Sequence, residues 1–159
     1  MRLVPMSTAA ALGCTAAATL VAAPTAASEV RLTGSVINSC VLSLPSNGSL
    51  ALSSDGTRLG SQDGVGGAPA TLTVVAAGTA PTLSFSSPTL TGPAGLSGAT
   101  TTYAFTSTGS GASQSYTASP STASSSLVDS FSIHSRVSSA SGFPSGNYTV
   151  VVTVTCQQS

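Results

Sequence analysis

The stretch that decides the fold is Tyr148-Thr149-Val150-Val151-Val152-Thr153-Val154-Thr155-Cys156. Tyr148, Val150, Val152, Val154 and Cys156 share one parity; Thr149, Val151, Thr153 and Thr155 share the other. Successive side chains of an extended chain point to opposite faces, so this pattern reads as a β-strand with one apolar face. Residues Gly142 to Gly146 supply the turn that feeds it.

Cys156 needs a partner, and Cys40 meets the requirement. It lies in Glu29 to Leu44, where Val30, Leu32, Val36, Cys40, Leu42 and Leu44 share a parity, interrupted by Gly34 and Asn38. Both cysteines thus fall on the apolar parity of an expected strand, as an internal disulfide requires. If the third cysteine, Cys14, leaves with an export signal, Cys40 and Cys156 remain as an even pair, which in an exported chain reads as a disulfide. Closing a loop of about 100 residues contributes roughly 4–5 kcal/mol in the chain-entropy treatment.

Between these ends, short apolar runs alternate with Gly, Pro and Ser clusters. Strands are expected at Leu50–Leu52, Ala70–Ala77, Thr82–Ser86, Thr100–Thr106, around Tyr116 and over Leu127–Val137, in addition to the two terminal ones. Turns or loops are expected at Pro45–Gly48, Gly60–Pro69, 87–99, 107–115 and 119–126. No helical periodicity of useful length follows residue 28. Seven or eight short strands in one domain over 29–159 point to an all-β antiparallel sandwich.

The first 28 residues read as a secretory signal peptide: Arg2, an Ala/Leu/Val-rich run from Ala9 to Ala23, then small residues to Ser28. That run is short and alanine-rich for a membrane span, and no span is expected after signal removal. Ala11-Leu12-Gly13-Cys14 loosely resembles a bacterial lipoprotein cleavage site, with Leu12 standing where a small residue is usual. The expected locations are the periplasm, the cell surface or the extracellular space.

Charge excludes several functions. Only 5% of the residues are charged and none is lysine, against roughly 25% charged in ordinary soluble proteins. Residues 29–159 carry Arg31, Arg58 and Arg136 against Glu29, Asp55, Asp63 and Asp129. Phosphate-dominated nucleic-acid binding and attraction to anionic membranes both need the basic patch this chain lacks. Low net charge with 41% hydrophobic residues also argues for a folded chain over a disordered one.

No catalytic or cofactor site is expected, and the reading is that of a non-enzyme. The single histidine, His134, has Asp129 as its nearest acid in sequence. Opposite parity and a rise of about 3.3 Å per residue would put them on opposite faces, roughly 16 Å apart. There is no G-x-S-x-G motif. Asp55 and Asp63 belong to Asp-Gly turns and lack the dense oxygens of a calcium loop. Gly64-x-Gly66-Gly67 has no helix or lysine to make a phosphate loop. Threonine runs lack the fixed period of an ice-binding solenoid. No metal site is expected.

Val30 to Leu44, VRLTGSVINSCVLSL, resembles the opening of bacterial fimbrial subunits, with Gly34, Val36 and Cys40 at the positions of an apolar–x–Gly–x–Val–(several)–Cys strand. Gly146-Asn147-Tyr148 and the valines after it are similar to the closing strand of pilins and of spore coat protein U domains. The resemblance implies an immunoglobulin-like, pilin-like sandwich assembled at the bacterial surface. Its implied partners are further copies or other surface subunits and a periplasmic chaperone. Pilins usually pair the first cysteine with one about forty residues later, whereas here the partner is Cys156. Cleavage near Ser28 leaves almost nothing ahead of Val30, so a self-complete sandwich and one needing a donor strand both stay open.

The expected role is an exported, pilin-like or coat- and adhesin-like structural protein. Its strand-addition edge would be Tyr148, Val150, Val152 and Val154, because no charge between Arg136 and Ser159 guards that strand. A fully paired central strand is the competing reading for the same residues. The alternative function is a monomeric secreted module that recognises a glycan or protein through its Ser/Gly-rich loops.

Overall fold

Val128–Ser138 is the longest strand, and the main sheet is built around it. The computed structural model describes residues 31–158; it contains twelve strands, and no helix occurs among the described residues. In chain order they are β1 (Ser39–Ser46), β2 (Ala51–Leu52), β3 (Arg58–Gly60), β4 (Ala70–Ala77), β5 (Thr82–Phe85), β6 (Thr89–Thr91), β7 (Thr100–Ser107), β8 (Ser113–Thr117), β9 (Ser121–Ser124), β10 (Val128–Ser138), β11 (Thr149–Val151) and β12 (Val154–Gln157). The chain divides after Gly34, and all twelve strands lie in the unit Ser35–Ser159. The signal-peptide assignment to residues 1–28 lies outside the described residues.

Every ladder is antiparallel. On one side β10 pairs first with β4, over Val128–Ile133, and then with β3, over Arg136–Ser138. On the other it pairs with β7 over Phe131–Ser138. With β1 beyond β4, β2 beyond β3 and β8 beyond β7, this makes a seven-stranded sheet. The facing strands are β12-β5-β9 and the ribbon β11-β6.

Alternation places the core between these sets. Leu72, Val74, Tyr103, Phe105 and Phe131 come from the large sheet; Leu83, Phe85 and Ala123 come from the facing strands. Phe85 stacks on Phe105 with ring centroids 4.4 Å apart and tilts against Phe131 at 6.0 Å. The result is an all-β, antiparallel, sandwich-like domain.

The disulfide expected between the terminal strands is present. Cys40 in β1 and Cys156 in β12 are bridged, with Cα atoms 6.4 Å apart and a sequence separation of 116.

Several expectations on elements are corrected. There are twelve strands in place of seven or eight, because short segments with little local signal find ready partners. Ser121–Ser124 is one: it pairs along β5, with Ala123 facing Leu83, so tertiary pairing overrides a Ser-rich composition. The first strand does not extend through Arg31–Asn38, where Leu32 is 93% and Val36 79% exposed. Ser39 faces Ala77, the last residue of β4. Beyond it Gly78 turns at φ +90° and Asn38 Oδ1 accepts from Thr79 N, so the β1–β4 ladder ends at Ser39. At its other end β1 runs through Pro45, which an edge strand tolerates at the register shift between Ser43 and Ser46.

The closing strand is interrupted. Residues 149–151 pair with β6 and 154–157 with β5, two ladders in succession along the same pair of segments. Between them the register slips by one residue opposite Ser86-Ser87-Pro88. Pro88 has no N–H to offer a ladder. The gap is bridged by Ser86 N to Thr153 O and by Thr153 N to Ser86 Oγ, both 2.9 Å. A β-bulge accounts for the break, and the alternation survives it: Val150, Val152, Val154 and Cys156 are half-buried, Thr149, Val151, Thr153 and Thr155 exposed.

Candidate functional site: an apolar groove beside an edge strand

The same alternation that builds the core leaves part of it uncovered. Towards the Asn47 and Asn147 end of the domain lies a groove of about 710 Å³. Leu44, Leu50, Leu59, Leu72 and Ile133 line it from the large sheet and the segments between its strands; Val150, Val152 and Val154 line it from the closing strand. Leu72 is buried and Leu44 more than half exposed, so the groove runs from the core surface outward. Polar groups sit among these walls: Ser61, Ser135, Asn47, Asn147 and Tyr148.

Local chemistry holds this shape. The Ser49↔Ala68 bridge, with N–H to O distances of 2.9 and 3.0 Å, fixes one rim. Gly48 makes that approach possible, since a Cβ there would stand 2.8 Å from Ala70 N and 3.0 Å from Ala68 O. On the opposite rim Tyr148 OH donates to Pro144 O at 2.6 Å and its ring meets Phe143 edge-on. The turn before the last strand therefore anchors Tyr148 beside the mouth.

Of the four residues singled out as a strand-addition edge, the structure brings all four, Tyr148, Val150, Val152 and Val154, to one wall of this groove. Val150 lies in β11 and Val154 in β12, strands that among the described residues have one ladder partner each, β6 and β5, while Tyr148 and Val152 flank β11 outside any ladder. Across the groove, β1 is likewise the terminal strand of its sheet. The opposite wall was not singled out from sequence. Leu44 and Leu50 carried an alternation signal, but Leu59 is the only apolar residue of a three-residue strand, and nothing local marks Ser61 or Ser135.

The titratable residues are engaged elsewhere. Asp129 is buried and accepts from Ser107 Oγ at 2.7 Å, Gly109 N at 2.8 Å, Ser110 N at 3.1 Å and Ser130 N at 2.7 Å, with Ser125 Oγ and Ser126 N at 3.3 Å. Desolvation raises its pKa, and the hydrogen bonds from Ser107, Gly109, Ser110 and Ser126 outweigh that, leaving it well below the usual carboxylate range. The acid that interrupts an apolar face is therefore a structural hub joining β10 to the β7–β8 turn.

His134 and Asp129 do not act together. His134 Nδ1 lies 3.1 Å from Ser61 Oγ, which also accepts from Ser135 N at 3.3 Å. Burial lowers the His134 pKa. The acid nearest in sequence to Ser61, Asp63, receives Arg136 Nε at 2.9 Å, and that guanidinium lies over the Tyr116 ring at 4.3 Å. Ser61, Asp63, His134, Arg136 and Tyr116 thus form a polar brace tying the β3–β4 loop to β10 and β8. Asp55 accepts from Ser53 Oγ and Thr57 N, chiefly the former holding its pKa at about 2. Asp55 and Asp63 therefore serve separate turns. Among the described residues no three His, Cys, Asp or Glu gather as a metal site, and no helix is long and apolar enough to cross a membrane.

Compared with known proteins, the chain matches no family model, no curated protein and no solved structure. The likeness to fimbrial subunits and spore coat protein U domains consequently rests on the residues quoted for it above.

Proposed function

We propose that this chain is an exported structural protein of the cell surface, pilin-like or coat-like and without catalytic activity, that assembles by accepting a strand of another chain. One observation carries the reading: the uncharged segment Tyr148–Val154, which holds β11 and the start of β12, forms one wall of an apolar groove whose opposite wall ends at the edge strand β1. Edge strands are normally guarded by charge or cover. A strand entering here would gain main-chain hydrogen bonds and seat alternate side chains on Leu44, Ile133, Val152 and Val154. On this reading the sandwich is immunoglobulin-like and incomplete, and its missing strand comes from outside.

The chain itself contains a segment of the required kind. Val30, Leu32 and Val36 alternate ahead of β1, and Leu32, Val36 and Ile37 are among the most exposed apolar residues described. Because β1 starts at Ser39, the described residues from Arg31 to Asn38 precede that strand rather than belonging to it. A disulfide-bonded domain with a signal-like leader fits passage through an oxidising compartment, and a strand-seeking surface fits a requirement for a periplasmic chaperone on the way.

The test is the solution behaviour of oxidised protein spanning 29–159. It should form concentration-dependent oligomers, and Val152→Arg, which places a charge on the groove wall, should leave a folded monomer. A wild-type domain that stays strictly monomeric at high concentration, does not bind a synthetic Glu29–Asn38 peptide and instead captures a glycan on an array would transfer the function to a monomeric binding module.

A further inference from the structure

The Cys40–Cys156 bridge joins two strands that share no ladder: β1 pairs with β4, and β12 pairs with β5. Its Cα atoms stand 6.4 Å apart, where stacked sheets are usually about 10 Å apart. The bridge therefore draws the edges of the two layers together at a corner. From that corner both strands lead into the groove, β1 through Leu44 and the closing strand through Val154 and Val152. Both cysteines are half-buried rather than enclosed.

We propose that this disulfide is a redox control on strand uptake: the oxidised bridge holds β1 and β12 at the spacing that accepts a strand, and reduction releases it. The inference rests on the groove being a strand-accepting site. A dithiol reductant supplies the chemistry. Its first thiolate attacks one cystine sulfur, forming a mixed disulfide and expelling the other cysteine as a thiolate. Its second thiol displaces the first protein sulfur, so the reductant leaves as a cyclic disulfide. Two electrons and two protons are transferred, and Cys40 and Cys156 end as free thiols.

What remains after reduction explains why the effect is local. β1 keeps its ladder with β4 over Ser39–Ser46. β12 keeps its ladder with β5, and the exposed Gln158 side chain, whose Nε2 donates to Ala77 O at 3.0 Å and to Thr79 O, is the tie that still crosses the corner to the end of β4. Each layer retains its own ladder, while solvent-exposed side-chain hydrogen bonds from Gln158, and no ladder, then hold the two edges together. A groove of variable width is poorly pre-organised for a rigid strand.

The probe is a synthetic peptide of Glu29–Asn38, titrated by calorimetry into a truncated protein beginning at Ser35, with and without a small dithiol. Far-ultraviolet circular dichroism and hydrogen exchange follow the fold in parallel. Affinity should fall about tenfold or more on reduction, with the β spectrum kept and exchange accelerated in β1 and β12 but not in β4, β7 or β10. The Cys40→Ala/Cys156→Ala protein should behave like the reduced form and ignore the dithiol. Unchanged affinity in a reduced, folded protein would overturn the proposal, as would collapse of the whole β spectrum on reduction. If neither redox form binds the peptide, it is the groove reading that fails, and the control falls with it.

Discussion

Asp129 shows how a single residue can be misread by parity and still be explained. It sits on the apolar parity of β10 between Leu127 and Phe131, where a charge looks like an interruption. The structure surrounds it with hydroxyl and amide donors from the Ser/Gly stretch after β7 and from Ser125 and Ser126. Gly109 is needed there, because a Cβ would stand 2.7 Å from Asp129 Oδ1. A folded-state pKa depressed below the unfolded value of about 3.9 contributes stability that is complete above roughly pH 5 and is lost as pH falls further. Asp129→Asn should therefore cost about 2–3 kcal/mol at pH 7 by urea denaturation. The gap between variant and wild type should narrow as the pH is taken below 4. A gap that stays constant from pH 7 to pH 3 would refute the ionised hub.

At the scale of elements, the ladders between β10 and its neighbours set the frame, and the aromatic cluster fastens the facing strands to it. Phe85 is the link, touching Tyr103, Phe105 and Phe131 of the large sheet from β5. Phe85→Ala should cost about 3–5 kcal/mol in chemical denaturation. Truncation of an outward residue such as Val75→Ala should cost well under that, since Val75 is 48% exposed. The bulge at Ser86–Pro88 belongs to the same scale. It divides the closing strand into β11 and β12 without reversing which side chains face inward, and so keeps Val150 and Val154 on one wall of the groove.

For the whole molecule, the disulfide is the one covalent tie between the first and last strands. With a sequence separation of 116, it should contribute about 4–5 kcal/mol, so Cys40→Ala should lower the urea midpoint strongly while leaving a β spectrum at low denaturant. Mass analysis without reductant should show wild type lighter by the two hydrogens of a closed bridge. With so few charges, the domain has little electrostatic repulsion to keep copies apart. On the proposed strand uptake, association should therefore respond weakly to salt and strongly to groove substitutions such as Val152→Arg, measured by sedimentation at several ionic strengths.

By itself the sequence determined the all-β character, the inward parity of the closing strand and the pairing of Cys40 with Cys156, because side-chain alternation and cysteine number are local or countable properties. Ala70–Ala77 could be read residue for residue, since eight strand-forming residues bounded by turn chemistry leave little choice. Only the tertiary structure decided where β1 begins, because that depends on β4 ending at Ala77 and not on anything in Arg31–Asn38. It also decided that Ser121–Ser124 is a strand, that Leu59 and Ile133 share a wall with Val152, and that Ser61 rather than an acid meets His134. These are relations between residues distant in the chain, set by which edges remain to be paired once the core has closed.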